Sequence, residues 1–68
     1  MKSLKCREWE KIVKQHGWHL ERVTGSHHIY KKHGEIACLS IPIHAGEDMK
    51  LGLLRHQMKV AGIKESDF

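Results

Sequence analysis

Cysteine is scarce in this 68-residue chain. There are two, Cys6 and Cys38, far apart and without C-x-x-C or any other metal-type spacing. They support neither a disulfide nor a metal site, and both read as buried thiols, one on a helix and one on a strand. Long apolar runs are missing as well. No stretch approaches the roughly 18 apolar residues that a bilayer span requires, and the start MKSLKCREWEK has no apolar signal-peptide core. The expectation is a soluble, cytoplasmic protein with no membrane role. No linker, internal repeat or low-complexity segment divides the sequence, which predicts one domain over residues 1–68.

A chain this short hides only about 60% of its unfolded surface on folding. It has room for one modest core and for no buried cleft that would enclose a cofactor, so any chemistry takes place on an open face. Charge leans positive. Twelve Lys and Arg against eight Asp and Glu give a formal net charge of +4, before seven histidines are counted. An anionic partner fits that balance, and so does a lysine excess that merely keeps a small domain in solution.

Cys6, Trp9, Val13 and His16 recur at helical spacing with Ile12 beside them, which predicts a helix over residues 3–16 with Ser3 as N-cap and Gly17 as the stop. Residues 18–23 carry β-type side chains and end at the turn pair Thr24-Gly25. Two more strands are expected over residues 27–32 and 36–41, joined through His33-Gly34. The last should stop at Pro42, which has no N–H for a ladder. Beyond the loop Ala45-Gly46-Glu47-Asp48, the residues Leu51, Leu54, Met58 and Ala61 line one face of a second helix that Gly62 ends. The order α-β-β-β-α predicts an α+β two-layer sandwich, with an antiparallel three-stranded sheet that keeps one face open.

Metal chemistry is not expected. His16 and His19 straddle a helix stop, and His27 and His28, adjacent on a strand, point to opposite faces. A zinc site would have to be assembled from distant residues such as His44 and His56. Nucleophilic catalysis finds no G-x-S-x-G elbow, and Ser26 reads as a turn residue. The acidic residues, on helix faces and in the 47–48 loop, read as solvated surface. What remains is acid-base chemistry by histidine on a basic sheet. RNA carries its own nucleophile, the 2′-hydroxyl, so its cleavage needs only a proton carrier and positive charge near the phosphate. His27 fits that role, with Gly25 letting a phosphate approach and Lys31 and Lys32 beside it. A hairpin bearing ordinary surface histidines fits the same residues. Strand parity groups His27 with Ile29 and Lys31, and Ser26 with His28 and Tyr30. Tyr30 is expected inward with His28 partly covered and His27 outward, which leaves Ile29 exposed.

Gly17-Trp18, Gly25-Ser26-His27-His28-Ile29-Tyr30, Ile41-Pro42-Ile43-His44, Gly52-Leu53-Leu54-Arg55 and Ala61-Gly62-Ile63, ahead of a Ser-Asp-Phe ending, resemble the HicA (YcfA-like) mRNA interferase toxins in order and spacing. The resemblance covers nearly the whole chain. It implies a double-stranded-RNA-binding-domain-like fold, cleavage of mRNA without metal or other cofactor, and silencing by a HicB-type antitoxin in a type II toxin-antitoxin system. It assigns the family's catalytic histidine, the one in Gly-Ser-His, to His27, with Gly25 and Ser26 shaping the site. On that reading Arg22, Lys31, Lys32 and His28 contact the RNA, and His28 and His44 are candidates for a second acid-base partner. Leu53 departs from the family pattern, which usually has a threonine there able to cap the second helix. Such a loss costs about 1 kcal/mol, and Asp48 is the alternative cap for an earlier start. Two rival readings stand beside this one: a module that grips A-form RNA without cleaving it, and a chain that has lost toxicity and only binds the antitoxin.

Overall fold

A computed structural model describes residues 3–68. The elements are α1 Cys6–Gln15, β1 His19–Thr24, β2 His27–Lys31, β3 Leu39–Pro42 and α2 Leu51–Ala61, followed by a 3-10 turn at Glu65–Asp67. The expected α-β-β-β-α order is therefore present. The strands form an antiparallel sheet in the order β1-β2-β3. Trp9 and Val13 of α1 and Leu54 of α2 pack with Tyr30, Leu39 and Ile41 of the sheet in one core.

α1 starts later than its periodicity suggests, and Lys5 rather than Ser3 is its N-cap. The chain before it is held extended: Met49 N–H donates to Leu4 O at 2.7 Å, and Cys6 N–H donates to Glu47 O at 3.0 Å. Glu8 accepts the backbone N–H of Lys5 at 2.8 Å, closing the first turn. Asp48 does not cap α2; it pairs with Lys5 Nζ at 3.3 Å. The N-cap of α2 is Lys50, without a side-chain bond. Leu53 is the third residue of α2 and packs partly buried against the core, so a hydroxyl is not required there.

β1 begins one residue after expectation, because Trp18 is spent on the core. Thr24 pairs with His27, leaving Gly25-Ser26 as a two-residue turn. Gly25 has φ 60, the positive angle that a type II′ hairpin turn needs at its first central position. The connection from β2 to β3 is looser. A turn forms at His33-Gly34, with Glu35 N–H donating to Lys32 O at 3.0 Å, but pairing resumes only at Leu39 opposite Tyr30. Ile36, expected in the strand, is 98% exposed, and Cys38, expected to be buried, is an exposed free thiol.

Pro42 belongs to β3 instead of stopping it. Ile43 N–H donates to Ser26 O at 2.8 Å, so the intervening N–H position, that of Pro42, faces the outer edge, where no ladder bond is lost.

α2 closes with a left-handed Gly62 at φ 69. Gly62 N–H donates to Lys59 O and Ile63 N–H to Met58 O, a Schellman pattern that satisfies two end carbonyls. Leu51, expected on the core face, is half exposed, whereas Gln57 is buried. Trp9 Nε1–H donates to Gln57 Oε1 at 2.7 Å, and Gln57 Nε2–H donates to Ser40 O at 2.7 Å. One amide thus ties α2 to α1 and to β3. On β1, Leu20 and Val23 remain exposed.

Candidate functional site

Residues directly opposite in an antiparallel pair share a sheet face. On the central strand β2, His28 and Tyr30 turn toward α1, where both meet Glu10. His27, Ile29 and Lys31 therefore occupy the other face, with Thr24, Arg22 and His19 of β1 on one side and Pro42 and Ser40 of β3 on the other. His27 is exposed and Tyr30 buried, as the parity argument expects. Ile29 corrects that argument: it is 9% exposed, flanked across the central strand by Arg22 and Ser40.

His27 and Lys31 are four residues apart on one strand, about 13 Å along it. The register of β1 slips between Leu20 and Arg22, a bulge that brings Glu21 to the cations. Glu21 Oε1 lies 2.7 Å from Arg22 Nη1, and its Oε2 lies 3.7 Å from Lys31 Nζ. Both cations of the open face are thus bridged by one carboxylate, which the sequence reading did not include. Lys32 stands apart from them. Its side chain lies against Gly17, where a Cβ would come within 3.3 Å of Lys32 Cε.

His28 is likewise separated from His27. Its Nδ1 lies 2.5 Å from Glu10 Oε2, and the Tyr30 hydroxyl donates to the same oxygen at 2.6 Å. A carboxylate only accepts, so Nδ1 carries the hydrogen. Glu10, expected on the solvated surface, is 4% exposed. Burial, the largest influence on it, pushes its carboxyl pKa up; the bonds from Tyr30 and His28 and the charges of His28 and Lys14 outweigh that and hold it below the usual value. Burial, then the bond to Glu10 and its negative charge, push the Tyr30 phenol well above the ordinary range. A signal for Glu10 existed in the sequence: it stands four residues after Cys6 and three before Val13, on the stripe that faces the core.

Around the hairpin tip the surface is open. A Cβ on Gly25 would meet nothing within 4 Å, so only the backbone angle requires glycine there. The Ser26 carbonyl accepts the bond from Ile43 that extends the β2–β3 ladder. His44, exposed just beyond β3, lines an open cleft of about 320 Å³ with Pro42, Lys50 and Leu53.

Among the described residues, no three His, Cys, Asp or Glu side chains are grouped so as to hold a metal ion, and no helix is long and apolar enough to cross a membrane. No curated protein matches the chain. A family model, that of the HicA toxin of bacterial toxin-antitoxin systems, matches residues 6–63. With its motifs spread over helix, sheet and second helix, and with that match spanning most of its length, the chain belongs to the HicA toxin family, the toxin side of a toxin-antitoxin pair.

Proposed function

We propose that this toxin is a metal-independent endoribonuclease that cleaves mRNA and so blocks translation, with His27 as its acid-base group. The observation that carries the reading is the exposed His27 on the same open sheet face as Arg22 and Lys31. An extended RNA strand laid along β2 meets an imidazole at one end and two cations toward the other. His27 takes the proton of the 2′-hydroxyl as that oxygen attacks the adjacent phosphorus in line, and Arg22 and Lys31 offset the charge that develops on the phosphate. Gly25 and Ser26 set the hairpin tip beside it. Lys32 and His28 lie off this face, and His28, on the central strand and committed to Glu10, is out of reach of RNA laid along it.

The natural inhibitor on this reading is a HicB-type antitoxin that covers His27 with acidic residues meeting Arg22 and Lys31. The rival reading, a module that binds A-form RNA by its shape, has a specific point in its favour: the element order suits a double-stranded-RNA-binding-domain-like fold. Incubation of the purified protein with single-stranded RNA in EDTA separates the two. Fragmentation in EDTA supports the nuclease, cleavage abolished by EDTA rejects the metal-free route, and bound RNA that stays intact supports the module.

A further inference from the structure

We infer that His44 is the second acid-base group of the His27 site and protonates the leaving 5′-oxygen. The inference rests on the endoribonuclease reading above and supplies the proton donor that reading lacks. The ladder between β2 and β3 continues past Pro42, because Ile43 N–H donates to Ser26 O. Ile43 packs against the core, so strand alternation turns Pro42 and His44 to the face that bears His27. Pro42 is directly opposite His27, and His44 follows two residues on at the diagonal position, which in a regular ladder lies about 7–8 Å away between Cα atoms.

The backbone then leaves the sheet. Glu47 N–H donates to His44 O at 3.1 Å, and Gly46 takes φ 73, so the imidazole stays exposed at the end of β3. Beside it, past the end of β3, the 320 Å³ cleft runs toward the start of α2 and has Lys50 among its lining residues. The other titratable groups that line this cleft are Cys6, Glu47 and Asp48, and Asp48 is already paired with Lys5. The competing histidine, His28, has its Nδ1 committed to Glu10 on the helix side of the sheet.

Neutral His27 accepts the 2′-hydroxyl proton, the O2′–P bond forms while the P–O5′ bond breaks, and protonated His44 gives its proton to O5′. The products are a 2′,3′-cyclic phosphate and a free 5′-hydroxyl, and the two histidines exchange protonation states with solvent before the next turnover.

Two substrates test the assignment: an RNA oligonucleotide, and uridine 3′-(4-nitrophenyl phosphate), whose leaving group needs no proton. His44→Ala should lower kcat on RNA about 100-fold or more and remove the alkaline fall of the pH profile, while the nitrophenyl ester is cleaved within about twofold of the parent rate. His27→Ala should lose both. His44 is exposed, so unchanged melting is expected; if the alanine variant melts early, His44→Gln should give the same split. Retention of RNA cleavage with its alkaline limb, or an equal loss on both substrates, overturns the role of His44 and leaves that of His27 standing. A parent protein that cleaves neither substrate overturns the nuclease reading and this inference together.

Discussion

His28 and Glu10, eighteen residues apart in sequence, meet at 2.5 Å between Nδ1 and Oε2, and Tyr30 completes the contact from two residues further along β2. This cluster pins α1 to the central strand on the face opposite His27.

Acid should loosen that attachment. The Glu10 carboxyl pKa is held below its ordinary value of 4.5, so the folded form binds this proton less readily than the unfolded chain does. The stability it contributes is present above that value and is lost as pH falls through the lowered folded value. Urea unfolding of the parent protein should weaken between pH 6 and about pH 3, with a shallower loss in Glu10→Gln. At neutral pH that substitution should cost about 1–3 kcal/mol. Parallel pH slopes for the two proteins would contradict the assignment.

Gln57 is the second internal tie. Gln57→Leu leaves the Trp9 indole N–H and the Ser40 carbonyl without their bonds. The expected loss is about 1–3 kcal/mol, read as a melting temperature lower by about 4–8 °C per kcal/mol. An unchanged melting curve would mean that both groups find other partners.

Glu21 should restrain RNA binding, because its carboxylate already occupies Arg22 and Lys31. Glu21→Gln should tighten binding of single-stranded RNA at low salt. Lys31→Ala should weaken it and reduce the slope of log affinity against log salt by about 0.7, the value of one phosphate contact. If neither variant moves the affinity, RNA does not lie on this face.

The architecture was legible where burial follows period. Trp9 and Val13 repeat at helical spacing and are fully buried, and Gly62 ends α2 with the expected left-handed angle. Strand ends were less legible, because a β-type side chain does not decide pairing: Ile36 lies between a turn and the first paired residue of β3 and stays in solvent. Pro42 misled for a related reason, since whether its missing N–H matters depends on which edge it faces. On the open face, His27 and Lys31 followed from parity, whereas Arg22 was named only as a cation for the RNA and its place beside Ile29 depends on the bulge. The bulge that inserts Glu21 did not, because it breaks the alternation of β1 at a single residue, so that His19 and Arg22, of opposite parity, share the open face. Alternation already set His28 on the face opposite His27; its contact to Glu10 and the packing of Lys32 against Gly17 keep both from the open face on which the family resemblance had them meet RNA.

The most direct test of the account is the rate at which His27→Ala cleaves single-stranded RNA, compared with the parent protein at equal concentration after both are shown to be folded. His27 is exposed, so its removal should leave the melting temperature unchanged and lower cleavage about 100-fold to 10,000-fold. Cleavage at the parental rate by the folded variant would contradict the assignment of His27.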